Sequence, residues 1–446
     1  MAAASEFSAL TILDLRPSSA PEHRARWRAL CERSFGLDGE ADAAARSILE
    51  QVRARGDAAV SELTARFEGR ELAPGDFELP RARAEAALAA LDPALRAALE
   101  QAAARVRRFH VAQARALTTT GLEDEDEGAA LHSRVAPLRR VAVYAPGGTA
   151  AYPSSVLHAA IPAKVVGVAE VLLFTPRPSE VVLAAAALAG VDRIFAIGGA
   201  QAVAAAAFGT QSVPRVDKIV GPGNAYVTAA KRQVFGRCDI DSIAGPSEIL
   251  VVADASADPA MVAADLISQA EHDVQASPVL LCTSVELATA VSAALRAQLA
   301  TLPRQQIAAA ALRDQGAAVI VGDRDALAAE ADAYAPEHLE LLVERPRELA
   351  ERIHRAGAIF IGPFTPEAAG DYTAGPSHVL PTAGGARFSS PLGCWDFVRY
   401  TSLLELGESS LRAQALAITS LARAEGLEGH ARAVELRLAQ REEDQP

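Results

Sequence analysis

The chain has 446 residues, which is enough for two or three domains. Hydrophobic residues make up 50% and charged residues 22% of it, a balance that is typical of a soluble globular protein. The formal net charge of −13 argues against a nucleic-acid partner, because that binding depends on clustered Lys and Arg side chains.

The N-terminal segment, residues 1–27, is predicted to be an irregular arm. It lacks the basic start and the long apolar stretch of a signal peptide. No run of about 18 uncharged apolar residues follows, so we expect no membrane partner and a cytoplasmic location. The four cysteines are far apart and form no CxxC pair, which is typical of idle thiols in a reducing cytosol.

Helices are predicted over residues 40–115, where AAARSILEQVRARG ends at Gly56 and ALRAALEQAAARVRRFHVAQ is amphipathic. From Arg139 the pattern changes. Four short apolar segments indicate buried strands, and a helical segment follows each of them: RRVAVYAPGG, VLLFTP, RIFAIGG and KIVGPG. This alternation predicts a parallel sheet with crossover helices.

A second series of strands and helices starts near residue 248, with the strands ILVVAD, VLLCTS, AAVIVG, LELLVE and AIFIGP. We therefore predict an α/β fold with two Rossmann-like parallel-sheet domains, one inserted in the other, and a helical C-terminal tail. The predicted parts are the arm over 1–27, a main α/β domain over 28–139 and 248–390, an inserted domain over 140–247, and the tail over 391–446.

The segment SQAEHD places Gln269 and His272 three residues apart in a predicted helix that starts at Asp258-Pro259. Residues at this spacing share a helix face, so an amide oxygen and an imidazole can converge on one metal ion. Spacing alone does not establish a metal site, because a lone His is more often structural.

Polar side chains recur at three later places in the chain. Glu337 adjoins His338, Asp371 lies in GDY, and EGLEGH contains Glu425 and His430. Together with SQAEHD, these segments predict a polar site assembled from distant parts of the chain. His378, in SHVLPT, has no assigned role.

Three turns follow predicted strands: one after Tyr144, one before Gln201, and one that ends at Asn224. Ligands of open α/β sheets bind at the carboxyl ends of strands, and glycines let the backbone approach a phosphate. None of the turns is a GxGxxG motif, and each alone is compatible with a simple tight turn. Three in one domain favour a dinucleotide site.

Taken together, these segments resemble the histidinol dehydrogenase family over nearly the whole chain. The resemblance rests on eight ordered blocks: YAPGGTAAYPSSVLHAAIPAKVVGV, IGGAQAVAA, DKIVGPGNAYVTAAKR, IDSIAGPSEILVVAD, AADLISQAEHD, YAPEHLEL, GDYTAGPSHVLPT and EGLEGHARAVELR. Two departures are small: His158 stands where Met or a similar residue is expected, and Cys394-Trp395 replaces smaller or polar residues.

The resemblance implies NAD and one Zn²⁺ per subunit as cofactors. The positions that match family contacts to NAD are Tyr144, Gln201 and Asn224. The positions that match zinc ligands are Gln269, His272, Asp371 and His430.

The resemblance also implies a catalytic pair, Glu337 and His338, and L-histidinol as the substrate. The positions that match substrate contacts are Ser247, Gln269, His272, His338, Asp371, Glu425 and His430. The family is a homodimer whose tail reaches into the partner's active site, so Glu425 and His430 are expected to act in the other subunit.

The family reaction oxidises L-histidinol to L-histidine through L-histidinaldehyde, with two NAD and one water. A neutral imidazole suits removal of the hydroxyl proton, which makes His338 the candidate base. No Cys lies in a polar motif, so an activated water suits the aldehyde step better than a thiolate, and Glu337 is the candidate to activate it. The metal is expected to act as a template for the imidazole and amine of the substrate.

Two other functions are compatible with this fold. A paralogous dehydrogenase for another small amino or sulfonated alcohol would keep the metal and catalytic residues but lose those that fit imidazole; the EGLEGH tail favours histidinol. A non-catalytic binding protein would have lost at least one of the catalytic or metal positions, and all of them are present.

Overall fold

The computed structural model describes residues 9–33, 39–124, 128–147 and 152–439. The chain divides into two compact units. The first comprises Met1–Gln113 and Leu138–Phe397, and the second comprises Ala114–Pro137 and Val398–Pro446. The finer division into four domains stays a prediction.

One six-stranded sheet of the first unit is parallel throughout, in the order β1-β12-β11-β10-β13-β14. Its strands are β1 (Thr11–Asp14), β10 (Glu248–Ala253), β11 (Ser277–Cys282), β12 (Ala317–Ile320), β13 (His338–Leu342) and β14 (Ala358–Ile361). The helices along the same part of the chain are α1 (Pro21–Cys31), α10 (Pro259–Ala270), α11 (Val285–Leu299), α12 (Gln305–Asp314), α13 (Arg324–Tyr334), α14 (Pro346–Ala350) and α15 (Glu367–Tyr372). Every residue of β10 is buried, as expected for a parallel strand whose two faces are both covered.

The second sheet of this unit has the order β2-β7-β6-β5-β8-β9 and is parallel except for β2, which pairs antiparallel with β7. Its strands are β2 (Glu78–Leu79), β5 (Arg140–Tyr144), β6 (Glu170–Phe174), β7 (Arg193–Phe195), β8 (Lys218–Val220) and β9 (Asp239–Ile240). The accompanying helices are α2 (Glu40–Arg55), α3 (Asp57–Glu68), α4 (Arg81–Ala90), α5 (Pro93–Ala114), α6 (Pro153–Val165), α7 (Glu180–Ala189), α8 (Gly199–Phe208) and α9 (Ala225–Val234).

The predicted α/β fold with one parallel sheet inserted in the sequence of another is confirmed. The strands β5 to β9 lie between β1 and β10 along the chain, yet they form a sheet of their own. Buried alanines line α7 and α8, and their small side chains let these helices pack closely in a core with few aromatic residues.

The second unit contains a three-stranded antiparallel sheet and two helices. The strands are β3 (Thr120–Asp124), β4 (Ala129–Pro137) and β15 (Val398–Leu406), in the order β15-β4-β3, and the helices are α16 (Glu408–Ala424) and α17 (Glu428–Ala439). The C-terminal helices are confirmed, but a strand, β15, precedes them in the segment that was predicted to be helical. Its partner β4 is more than 250 residues away along the chain, so local patterning could not reveal the pairing.

Within the described ranges, no helix combines the length and the apolar composition that crossing a bilayer requires. The four cysteines are free, and three of them are buried: Cys238, Cys282 and Cys394.

Candidate functional site

The predicted catalytic pair lies at the amino end of β13, since His338 is the first residue of that strand and Glu337 precedes it. Both side chains are buried, with exposed fractions of 5% and 7%. β10 pairs in parallel with β13, with Ile249 opposite His338, so Ser247 and Glu248 reach the same edge of the sheet. Ser247, Glu248, Glu337 and His338 therefore lie at the amino ends of the two strands.

The peptide groups of Glu248 orient both members of the pair. The carbonyl oxygen of Glu248 lies 2.9 Å from Nδ1 of His338. Because a carbonyl oxygen can only accept, Nδ1 carries the proton in this bond, so in the neutral imidazole the lone pair lies on Nε2. The backbone N–H of Glu248 donates to Oε2 of Glu337 at 2.9 Å. His338 is thereby held in the tautomer that can accept a proton at Nε2.

Burial raises the pKa of Glu337 to about 8, because removal from water disfavours the charged carboxylate. The side chain is therefore largely protonated at neutral pH in the ligand-free site. It becomes a base as the pH rises through this value.

Gln269 lies in the last turn of α10, and His272 follows two residues after the helix ends at Ala270. The helix is thus shorter than predicted, and the backbone N–H of His272 closes a tight turn onto the carbonyl of Gln269 at 3.2 Å. Gln269 is fully buried, yet neither amide atom has a hydrogen-bond partner among the described residues. An unpartnered buried polar group costs about 1–3 kcal/mol, so this amide marks a place for a ligand. His272 itself is exposed.

Asp371, in α15, lies among imidazoles. Its Oδ1 is 3.4 Å from Nδ1 of His378. Burial opposes its ionisation, but the hydrogen bond and charge of His378, with the charges of His338 and His272, hold the pKa of Asp371 below its usual range. The ring of His378 stacks on that of His158 with 4.3 Å between centroids. Asp371 is therefore an ionised carboxylate inside a group of imidazoles.

One group of side chains in the described part of the chain could chelate a cation with carboxylate and imidazole atoms. Ligand atoms of His338, Glu367 and Asp371 all lie within 4.8 Å of one another. Oε1 of Glu367 is 3.7 Å from Nε2 of His338, and Oε2 accepts a hydrogen bond of 3.0 Å from Ser268. Glu367 was not predicted as a site residue, although its position four residues before Asp371 in α15 places both on one helix face.

The donor atoms of this region suit a zinc ion, which binds nitrogen and oxygen ligands. Among the four predicted zinc ligands, Gln269, His272 and Asp371 belong to the first unit. The unpartnered amide of Gln269 and the ionised carboxylate of Asp371 both fit a cation. The zinc-ligand set stays a prediction.

Glu340, two residues after His338, carries a second buried carboxyl group that makes the stability of the fold depend on pH. Burial, and then the charge of neighbouring Asp265, raise the pKa of Glu340 from 4.5 to about 9. The pKa of Glu340 is higher in the folded protein than in the unfolded chain, so protonated Glu340 favours the folded state. Its contribution to the free energy of unfolding is therefore fully present below pH 4.5 and is lost as the pH rises towards 9.

We therefore expect Glu340→Gln, which mimics the protonated side chain, to become progressively more stable than the wild type as the pH rises from 5 to 9. Thermal unfolding of both proteins, metal-free, across this range measures the difference in Tm. A difference that stays constant with pH would contradict the buried protonated carboxyl.

A cavity of about 880 Å³ opens at the second sheet, and its lining includes Tyr144, Gln201 and Asn224. Tyr144 ends β5, Gln201 lies in the first turn of α8, and Asn224 precedes α9. These are the carboxyl ends of parallel strands and the starts of the helices that follow them. The volume is within the range of small-molecule sites.

Hydrogen bonds explain why these residues suit the cavity wall. The hydroxyl oxygen of Tyr144 accepts from the backbone N–H of Gly199 at 3.0 Å, which leaves its own hydrogen free to donate. The side-chain oxygen of Asn224 caps α9 by accepting from the N–H groups of Tyr226 and Val227.

Glu425 and His430 belong to the second unit, where Glu425 is the C-cap of α16 and His430 lies in α17. Both residues are exposed. Their predicted roles at a substrate and metal site stay predictions.

Comparison with known proteins gives a consistent result. A family model described as histidinol dehydrogenase matches residues 32–438. Histidinol dehydrogenase from Ralstonia nicotianae is 53% identical over 407 residues, covering 90% of this chain and 92% of the relative. The same enzyme from Cupriavidus pinatubonensis is 50% identical over 426 residues, covering 94% and 96%. A solved structure of histidinol dehydrogenase from Elizabethkingia anophelis is similar at a TM-score of 0.88 and 32% identity, covering 97% of this chain and 99% of that one.

Proposed function

The chain belongs to the histidinol dehydrogenase family of histidine biosynthesis, and we propose that it oxidises L-histidinol to L-histidine through L-histidinaldehyde with two NAD, one water and a zinc ion. The observation that carries the proposal is the buried pair Glu337–His338, with Nε2 of His338 free to accept a proton.

In the first oxidation, Nε2 of His338 would take the proton of the histidinol hydroxyl group, and bound NAD would accept the hydride from the carbon that bears this hydroxyl. The hydrogen bond from Nδ1 to the Glu248 carbonyl stabilises the imidazolium that forms. The products of this step are the aldehyde, NADH and a protonated His338.

In the second oxidation, an aldehyde must first gain oxygen before it can lose a hydride and become an acid. A cysteine thiolate is a poor candidate, because burial raises the pKa of all four thiols to values of about 11 or 12. Glu337 is the proposed base instead. It would remove a proton from water as the oxygen adds to the aldehyde carbon, and a second NAD would supply the acceptor for the hydride of the resulting hydrate.

The proposed zinc ligands are Gln269, His272, Asp371 and, from the other subunit, His430. The ion would supply a Lewis-acid template that binds the imidazole and amine of the substrate. The protein's own part is orientation: Ser247 and Glu425 are proposed to hold the substrate so that its hydroxyl faces His338.

The proposed NAD site is the cavity of about 880 Å³ at the second sheet. Tyr144 and Gln201 offer buried polar groups there, and the starts of α8 and α9 are suited to a negatively charged pyrophosphate.

The proposed homodimer with exchanged tails is supported by the apolar surface of the second unit. Leu404 of β15 is 74% exposed and Leu416 of α16 is 80% exposed, and Leu421 and Leu436 are also exposed. Such a surface is typical of an interface.

The activity is tested by NADH absorbance with histidinol as the substrate. We expect two NADH for each histidine formed, a loss of activity after treatment with a chelator, and recovery with Zn²⁺. Metal analysis should find one zinc per subunit. If zinc-loaded protein gives no histidinol-dependent signal but oxidises another amino alcohol, the paralogous function would be favoured.

Subunit mixing tests the exchanged tail. His430→Ala and His338→Asn homodimers should each be nearly inactive, because each lacks one part of every site. A heterodimer of the two should recover one working site, since one site then contains an intact His338 and an intact His430. Purification through two different tags isolates it, and a heterodimer without activity would argue for sites built from one chain.

A further inference from the structure

Glu248 contacts the catalytic pair through its main chain and is itself fixed through its side chain. Its carbonyl and N–H groups bind His338 and Glu337, respectively. The side-chain carboxylate accepts from the backbone N–H of Ala383 at 2.9 Å and forms a two-pronged ion pair with the guanidinium of Arg33.

The guanidinium of Arg33 is also fixed by hydrogen bonds to backbone carbonyls and by a stacking contact with an aromatic ring. Nη1 donates to the carbonyl oxygens of Leu30 and Tyr334, each at 3.0 Å. The guanidinium lies over the ring of Tyr334, 3.7 Å from its centroid. A planar guanidinium fixed by stacking and by paired hydrogen bonds has little freedom, and lysine cannot reproduce this arrangement.

The pair is largely buried, with side-chain exposures of 16% for Arg33 and 4% for Glu248. Burying two charges costs desolvation energy that their attraction often fails to recover, so stability alone does not account for the pair. Ala383, whose N–H completes the carboxylate's partners, has a φ of +48°. Non-glycine residues in this left-handed region tend to occur at functional sites.

We propose that Arg33 and Glu248 are positioning residues for the dehydrogenase reaction. The ion pair anchors the side chain of Glu248, and the anchored residue presents its two peptide groups to Nδ1 of His338 and to the carboxyl of Glu337. The Arg33–Glu248 ion pair thereby sets both the tautomer of His338 and the orientation of the carboxyl group of Glu337. The inference rests on the proposed function, which assigns those two roles.

The test compares Arg33→Gln and Arg33→Lys with Arg24→Gln in the zinc-loaded full chain. Arg24 is the matched control, because it lies in the nearby helix α1 and forms its ion pair with Glu330, which contacts neither catalytic residue. We expect Arg33→Gln to lower kcat on the order of 10²-fold, as expected for a misplaced base, while KM for histidinol and the zinc content stay unchanged. Arg33→Lys should lose less, and Arg24→Gln should match the wild type.

A second measurement separates positioning from general weakening of the fold. ¹⁵N NMR of labelled histidines reports the tautomer of His338, whose signal is assigned by its absence in His338→Asn. The wild type should show a proton fixed on Nδ1, and Arg33→Gln should show a mixture of tautomers. If Arg33→Gln does not fold, Arg33→Lys carries the same two measurements.

The results distinguish a failure of the positioning proposal from a failure of the proposed function. A folded Arg33→Gln protein with wild-type kcat overturns the proposal, and so does a lowered kcat with an unchanged tautomer. A wild-type protein without histidinol oxidation overturns the proposed function instead, and the tautomer comparison then still decides whether Arg33 fixes the imidazole.

Discussion

His338→Asn is expected to lower the rate of histidinol oxidation by about 10²–10⁴-fold, the usual contribution of a general base. The Asn amide can still donate to the Glu248 carbonyl, so the fold should be kept, but it offers no lone pair in the place of Nε2. Single-turnover NADH formation measures the first hydride transfer, and metal analysis accompanies it. The zinc content should equal that of the wild type.

The metal measurement matters because His338 also belongs to the group with Glu367 and Asp371 whose ligand atoms lie within 4.8 Å. If His338→Asn loses zinc, His338 is a ligand and the proposed base must be sought elsewhere. Glu367→Gln is the second variant to compare, since it alters a carboxyl group of the same cluster and leaves the imidazole of His338 in place.

Glu337→Gln is expected to divide the two oxidations. The glutamine keeps the shape and can still accept from the N–H of Glu248, so oxidation of histidinol should persist. Oxidation of the aldehyde should fall by about 10²–10⁴-fold, because an amide cannot take a proton from water. NADH formation from histidinol and from supplied histidinaldehyde measures the two halves separately, and equal losses would contradict the division of roles.

The pH dependence of the aldehyde step provides an independent check. Because burial raises the pKa of Glu337 to about 8, the carboxylate that is proposed to activate water becomes populated as the pH rises through that value. The rate of the aldehyde step should therefore rise with pH over this range in the wild type. The same rise should be missing from Glu337→Gln.

Local patterns in the sequence were sufficient for much of the fold. Apolar segments between helices predicted both parallel sheets, except for β1, which lies in the segment predicted to be an irregular arm. Asp258-Pro259 predicted the start of α10. The side chain of Asp258 accepts from the backbone N–H of Ala260, as expected of an N-cap. These features depend on residues close together in the chain, and that is why they can be recognised without a structure.

Features that depend on distant residues were not predicted. β15 pairs with β4 across more than 250 residues, and nothing in its own sequence identifies that partner. Arg33 and Glu248 meet across 215 residues, and the partnership follows from the packing of α1 and α13 beside the first sheet. Glu367 could have been predicted from the sequence, because its spacing of four residues from Asp371 is a local signal.

The position of the proposed catalytic pair could not be predicted without the structure. Ligands usually bind at the carboxyl ends of parallel strands, and the predicted NAD contacts follow that rule. Glu337 and His338 instead lie where β13 begins, beside the start of β10. Sequence periodicity identifies a strand but does not show which end of it will carry the chemistry.

The two sheets differ in how far apart their strands lie along the chain, and this difference affects the order in which the sheets fold during translation. Five neighbouring strands of one sheet, β5 to β9, come from about a hundred successive residues, so they can assemble as soon as that stretch has emerged. In the other sheet, Thr11 pairs with Ala317, so the beginning of the polypeptide must wait for three hundred further residues to be translated. Nascent-chain experiments should therefore find the internal sheet protected first and the amino-terminal strand docked late.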